Sequence, residues 1–539
     1  MTPKADIVLT GGRVWCGQAE GVAEAVAVWQ GLILATGTAA EIAPLIGPGT
    51  RVVALEGRMA TPGLNDAHLH LLPLGLAMAA VDVRANTAPT LEALKEAIRA
   101  RAAVTPKGQW IFARGYDNTR FQSRAHPTVD DLDEAAPDNP VYLVRTCGHL
   151  SVVNTRAMEL AGLTPATPVP FGGLIEKKGG RLTGLLAENG RDPMKAVLPE
   201  PTDEDLVAAI ERAGHYCLSL GVTSVMDAAV GMYCGWREMT AYRTARRTGR
   251  LPVRTWQCLL GGPGGIATRA AEEGLITGEG DDMLRIGPVK IFTDGSAGGK
   301  TAAFTQPYLG GEETYGVLTF SDADCHAEIE RYHGYGYQMA IHAIGDAAIE
   351  QVITGYEKAL GGAPLPERRH RIEHCGFVTP GQLARMQHLG LVPAPQPSFL
   401  FEMGDGYFDL FEDARRDACY PLRTFIEAGL NPSASTDSPV TDVNSFNNLY
   451  TMLTRKTRTG AVIGADQTVT LDQALHAYTW GSACGEHAEH RKGRLAPGQL
   501  ADIAVFSHDL SALEPEAIRD EVRCDLTICG GAVVYEHAV

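Results

Sequence analysis

MATPGLNDAHLH, residues 59–70, carries an apolar run through a Pro-Gly pair and ends it on two histidines spaced i, i+2. Residues two apart in a strand point to the same side, so His68 and His70 can aim both imidazoles at one ion. Alone the pattern is weak, because a chain with 16 histidines meets an HxH by chance. It gains meaning from four other segments with the same ending: Lys290 in IGPVKIFTDGS, His342 in MAIHAIGDA, His374 in RIEHCGF and Asp437 in NPSASTDSP. Each puts a metal-compatible side chain where an apolar run gives way to a polar loop. Strands that rise through a core and finish on a reactive group are how a parallel barrel delivers chemistry to its C-terminal face.

Eight apolar runs of strand length fit that barrel: the one before His68, VTSVMD from 222, VRTWQCLL from 253, RIGPVKIF from 285, YQMAIHA from 337, RHRIEHC from 369, GLVPAPQ from 390 and NPSASTD from 431. Helix-period segments such as DAAIEQVITGYEKALGG and TPGQLARMQHLG alternate with them, the signature of βα units around a parallel sheet. Lys290 then closes the fourth strand, His342 the fifth, His374 the sixth and Asp437 the eighth. The fold expected is an α/β (β/α)8 TIM barrel over residues 61–84 plus 201–489. The bland alternatives are satisfied core histidines at 342 and 374, Asp437 capping the next helix, and Lys290 as a buried partner of Asp294.

The two ends of the chain resemble each other, ADIVLTGGRVWCG at 5–17 and CDLTICGGAVVYE at 524–536 both reading as apolar strands broken by a Gly-Gly turn. With the short strands AVAVWQGLILATG, TRVVALEGRMAT and ADIAVFSHD they predict a small β-sandwich domain built from residues 1–60 plus 490–539. Residues 85–200, between the first and second barrel strands, are too many for a barrel loop. They contain a helix (LEALKEAIRARAAV), a strand (PVYLVRTCGHL) and a hairpin (GGLIEKKGGRLTGLL), so an inserted subdomain that shapes the substrate pocket is expected.

Composition removes several classes of function. The 539 residues carry a formal net charge of -17 with dispersed Lys and Arg, which argues against a nucleic-acid partner. No apolar stretch reaches the roughly 18 residues of a membrane helix and the first residues lack a secretory apolar region, so a cytoplasmic protein without membrane contact is expected. Eleven cysteines without a CxxC pair read as reduced core residues, not a disulfide frame. The Gly-rich segments at 259–265 and 295–300 lack P-loop spacing and read as βα loops. Trp236 and the run FLFEMGDGYFDLF at 399–411 either line an apolar pocket or simply pack.

These motifs, in this order, resemble the amidohydrolase superfamily over nearly the whole chain. The wording VKIFTDGSAGGKTAA, HAIGDAA, RIEHC and TDSPV is similar to the branch containing the N-substituted formamide deformylases. The resemblance implies a binuclear zinc centre: His68, His70 and Asp437 on one Zn2+, His342 and His374 on a second, other divalent metals being possible, and Lys290 bridging them as a CO2-derived carbamate. A carbamate needs a neutral amine, and an apolar strand end lowers a lysine pKa. The implied reaction is hydrolysis of a non-peptide C–N bond in a small-molecule amide by metal-bound hydroxide, with Asp437 as proton shuttle. The resemblance also implies substrate contacts for His149 in RTCGHLSVVN, followed by Asn154, for Asp117 in ARGYDNTRF and for Glu188 in TGLLAENG, and a homodimer or larger assembly. The rival readings are a lactone or ester hydrolase, a mononuclear deaminase on the same barrel, and a non-catalytic metal-binding protein.

Overall fold

Seven parallel strands form the central sheet in sequence order: β1 (Leu64–Leu69), β2 (Val222–Val230), β3 (Arg254–Leu260), β4 (Leu284–Phe292), β5 (Met339–Ala343), β6 (Arg371–His374) and β7 (Val392–Ala394). The computed structural model describes residues 3–84, 87–118, 121–145, 150–170, 173–310 and 313–538. Every residue of β2 is buried, as expected for a parallel strand covered on both faces. Met226, Ala228, Trp256, Cys258 and Ala340 form one packed layer inside the barrel.

The eighth run departs from expectation. Among the described residues, 431–437 carry no strand. The segment nevertheless stands between β7 and β1 and bonds to both: Ser433 N–H donates to Pro393 O at 3.3 Å, Ala67 N–H to Ala434 O at 3.3 Å, and Asp437 N–H to His68 O at 2.7 Å. Its backbone partners also include side chains. Asp66 accepts from Thr436 N–H at 3.1 Å and Asn448 donates to Ser435 O at 3.0 Å, so side chains replace part of a regular ladder. The barrel is therefore nearly closed, with an irregular seam where an eighth strand would stand.

Local sequence explains the barrel helices. In Thr379–Gly390, Thr379 accepts from Gln382 N–H, Gln382 returns the bond to Thr379 N–H, Pro380 takes the first turn and Gly390 ends the helix at φ +70°. These are a capping box, a proline where no backbone donor is missed, and a left-handed C-terminal glycine. The helix Asp346–Ala359 buries Ile349, Val352, Ile353 and Tyr356, spaced i, i+3, i+4, i+7. At about 1.5–3 kcal/mol per buried apolar side chain this stripe holds the helix to the sheet, and a charge at Ile353 would break it.

Strands from both ends of the chain share one eight-stranded sheet: Ile7–Gly17, Gly21–Trp29, Leu32–Gly37, Arg51–Ala54 and Met59–Pro62 with Ile503–Phe506, Cys524–Cys529 and Ala532–Glu536. Apolar residues from both halves, among them Leu9, Val26, Ile503 and Ile528, pack in one cluster. The two Gly-Gly pairs differ. Gly530–Gly531, at φ +57° and +77°, makes the predicted two-residue hairpin turn. Gly11–Gly12 makes no turn: the strand runs through it with a bulge, because Gly11 adopts φ +82° and a Cβ on Gly12 would lie 2.3 Å from Arg58 O.

The chain divides into two units, residues 1–72 with 210–539, and residues 73–209. The second unit has its own six-stranded sheet and core. Val141 and Leu143 face one apolar cluster and Tyr142 faces the other, the period-two pattern of a sheet covered on both sides. The hairpin Gly173–Lys178 with Arg181–Glu188 and the helix Leu91–Val104 belong to this unit. Among the described residues no helix is long and apolar enough to cross a membrane, and the described cysteines are free thiols.

Candidate metal centre

Four strand tips and the irregular seam bring six side chains together. His68 ends near the tip of β1 and His70 follows it. Lys290 lies near the end of β4, His342 on β5, His374 at the end of β6 and Asp437 on the seam. His68 Nε2 stands 3.4 Å from Asp437 Oδ1 and 3.4 Å from Lys290 Nζ, and His70 Nε2 stands 3.1 Å from the same Asp437 oxygen. The ring of His374 is 4.9 Å from that of His68 and 4.4 Å from that of His342, centroid to centroid. The donor atoms of His68, His70 and Asp437 all lie within 4.8 Å of one another. His68, Lys290, His374 and Asp437 are buried, whereas His70 and His342 are half-buried and form the open side.

The other nitrogen of three imidazoles is committed elsewhere, which assigns the tautomer of each neutral ring. His68 Nδ1 faces a Glu373 carboxylate oxygen, which can only accept, so in the neutral ring Nδ1 carries the proton and Nε2 keeps the lone pair. His374 Nδ1 lies 2.6 Å from Gln396 Oε1, and the Gln396 amide nitrogen is spent on Ala394 O and Ser435 Oγ. His342 Nε2 is 3.1 Å from both Asp294 Oδ1 and Gly295 O, two acceptors, which leaves its Nδ1 unprotonated. Each ring thus keeps one lone pair, the arrangement metal-ligating histidines show when outer groups orient them. His70 Nδ1 and Asp437 Oδ1 are buried with no hydrogen-bond partner among the described residues.

Electrostatics follow from burial. Burial lowers the Lys290 ammonium pKa and pushes that of His374 well below the usual imidazole range. For Asp437 burial acts upward, but His68 and His70 hold the carboxyl well below the ordinary carboxylate range. Glu373 is likewise held low, against burial, by Arg371 and His68. Backbone strain gathers here too: His374 at φ +67° and Asp437 at φ +58° occupy the left-handed region. Such residues cost about 1–3 kcal/mol each and cluster at functional sites.

The remaining side chains named from sequence are placed as follows. Asp294 is not a partner of Lys290; it accepts N–H groups of Ala303, Ile344 and Gly345 and faces His342. Asp117 pairs with Arg145 at 3.2 Å, and Glu188 ends the strand Arg181–Glu188 at φ +46°; both belong to the second unit. Asn154 caps the helix Thr155–Leu160 and is fully buried, while His149 lies outside the described residues. From the aromatic run, Phe399, Tyr407 and Phe411 pack in a buried cluster with Phe304 and Phe377, and Phe399 stacks on His374 at 5.7 Å. Trp236 sits under the guanidinium of Arg269 at 3.9 Å.

Glu373, Arg371, Gln396 and Asp294 were missed as functional groups, although all four lie inside quoted stretches. Their signal was a charged or amide side chain at a strand position where an apolar residue is expected, as Gln396 is in GLVPAPQ.

Comparison with known proteins gives one consistent picture. The Bacillus subtilis (strain 168) protein named putative amidohydrolase YtcJ is 30% identical, over 96% of this chain and 96% of its own. The N-substituted formamide deformylase of Arthrobacter pascens is 29% identical, over 100% of this chain and 99% of its own. The crystal structure of an uncharacterized metal-dependent hydrolase from Pyrococcus horikoshii OT3 superposes with a TM-score of 0.77 at 27% identity, covering 95% of this chain and 99% of that one. The sequence model of the amidohydrolase family matches residues 51–535, and this chain accordingly belongs to the amidohydrolase family as a metal-dependent hydrolytic enzyme.

Proposed function

We propose that this enzyme hydrolyses the C–N bond of a small, non-peptide amide at a centre of two divalent cations, zinc being the leading choice. In this reading His68, His70 and Asp437 would hold one ion and His342 and His374 the second, and Lys290, carboxylated by CO2, would be their shared ligand. The observation that carries it is the spacing of the donor atoms. Two donors about 2.1 Å from one ion at the tetrahedral angle stand about 3.4 Å apart. The pairs His68–Asp437 and His70–Asp437 stand at 3.4 and 3.1 Å. Burial favours the neutral Lys290 amine that CO2 addition requires.

A cation so held acidifies water and polarises a carbonyl oxygen. The remaining work falls to the chain's own groups. Asp437 has a second carboxylate oxygen with which to take a proton from the attacking water and pass it to the leaving nitrogen. His70 and His342, on the open side, border the space where substrate enters. Substrate contacts by His149, Asp117 and Glu188, which the family resemblance implies, complete the reading. The A. pascens deformylase supports a formamide as the first substrate to try.

The test is turnover of an N-formyl amine by zinc-loaded enzyme, beside a lactone, an aminopurine and an N-acyl amino acid. Formamide turnover that Asp437→Asn lowers by about 100-fold or more, with metal content retained, is the expected result. Near-normal activity of that variant would defeat the proton-transfer assignment. Turnover of the lactone or the aminopurine alone would move the substrate class to C–O hydrolysis or deamination.

A further inference from the structure

We propose that Glu373, anchored by Arg371, is the positioning residue that presents His68 to the metal. This rests on the reading that His68 holds a cation.

The interior of a parallel barrel is normally filled by branched apolar side chains. Here β6 sends an arginine and a glutamate into it, two residues apart and both fully buried. A buried ion pair is costly to desolvate, and apolar residues of equal volume usually serve stability as well or better. Stability is therefore a poor account of why it stands there. Its geometry gives a better one. Glu373 Oε1 accepts from Arg371 Nε at 2.6 Å, and Oε2 accepts from Arg371 Nη2 at 3.1 Å and from His68 Nδ1. Arg371 Nη2 also donates to Ala67 O at 2.9 Å, the carbonyl immediately before His68. The guanidinium thus grips both the backbone of β1 and the carboxylate that holds the ring.

The space for this device is made by a small residue. A Cβ on Gly485 would lie 3.1 Å from Arg371 Nη1. The consequences for His68 are two: its protonated nitrogen is Nδ1, which leaves Nε2 free, and its ring plane is set by a partner that cannot swing away. Carboxylates of this kind raise the basicity of a ligating imidazole, and their removal typically weakens metal binding about 10- to 100-fold.

The experiment measures the Zn2+ dissociation constant by competition with a chromophoric chelator, together with circular dichroism and the thermal midpoint. It compares the wild-type chain with Glu373→Gln, Arg371→Met/Glu373→Gln and Arg371→Met/Glu373→Leu. The glutamine variants keep an acceptor without its charge, and the double variants leave no charge unpaired. The inference predicts Zn2+ binding weakened about 10-fold when the amide replaces the carboxylate and about 100-fold with leucine, in folded protein. A folded Arg371→Met/Glu373→Leu chain that binds Zn2+ within two-fold of wild type overturns it. A second measurement needs no variant. In crystals of the zinc-loaded wild-type chain, His68 must meet the ion through Nε2 with Nδ1 on Glu373, and a flipped ring contradicts the proposal. Wild-type protein that binds no Zn2+ at His68 refutes instead the ligand assignment on which the inference rests.

Discussion

Replacing Asp294 by alanine tests how the β4 and β5 tips are held together. The carboxylate is buried and accepts Ala303 N–H at 2.9 Å, Gly345 N–H at 2.9 Å and Ile344 N–H at 3.1 Å. Alanine leaves three buried donors without their acceptor, and each such orphan costs about 1–3 kcal/mol. The sum is about 3–9 kcal/mol. Water entering the vacated polar space restores one or two bonds, which brings the expectation to the lower part of that range, about 3–5 kcal/mol. The same change removes the Oδ1 acceptor 3.1 Å from His342 Nε2, so the ring keeps Gly295 O alone and is held less firmly. Asp294→Asn keeps one acceptor and retains about half the loss. The assay is urea unfolding followed by near-ultraviolet circular dichroism, with metal content measured on the same samples. An Asp294→Ala chain within about 1 kcal/mol of wild type, at an unchanged denaturant slope, refutes the reasoning, because it would mean those N–H groups have other partners.

Three further outcomes follow from packing and charge. Phe411→Ala, inside the cluster of Phe304, Tyr308 and Phe377, should lower stability by about 3–5 kcal/mol in the same urea assay, and a loss below 1 kcal/mol would mean the cluster is loosely packed. Gly287→Ala puts a Cβ 1.8 Å from Trp256 Cδ1, so a penalty of about 1–3 kcal/mol or more and a shifted Trp256 emission are expected; unchanged emission and stability would place the indole elsewhere. His370 has its pKa lowered to about 3 by burial, and its Nδ1 accepts Met339 N–H at 3.0 Å. A histidine that protonates more readily when unfolded loses stability as pH falls below its unfolded value, about 6.5. His370 therefore contributes a decline of about 1.4 kcal/mol per pH unit between about pH 6 and 4, and none above pH 7. His370→Gln should flatten that slope by one proton, and an unaltered slope would rule the assignment out.

The barrel was legible because its strands are short apolar runs whose polar terminal residues stand out, and those residues are the ones that meet in space: His68, Lys290, His342, His374 and Asp437. What the sequence hid was partnership across strands. Nothing in RIEHC says that Glu373 points toward β1 or that Arg371 reaches Ala67 O; that depends on which strand is neighbour to which across the barrel. Asp294 looked like a counter-charge for Lys290 because the two are four residues apart, yet after β4 ends the backbone turns and hands the carboxylate to the β5 loop. The segment 431–437 read as a strand by its position in the series, but its Ser and Thr side chains and those of Asp66 and Asn448 take up the backbone groups a ladder would use. Gly11–Gly12 and Gly530–Gly531 are the same dipeptide with different outcomes, a bulge inside one strand and a turn between two, so the dipeptide alone does not choose between them.

The convergence of His68, His70 and Asp437 on one ion is the claim on which the rest depends. Equilibrium dialysis against Zn2+ with elemental analysis tests it directly, comparing wild type with His68→Ala, His70→Ala and Asp437→Ala, all checked for native circular dichroism. The account predicts at least one tightly held ion per wild-type chain, and loss or strong weakening of it in each folded variant. Undiminished Zn2+ content in all three would contradict it.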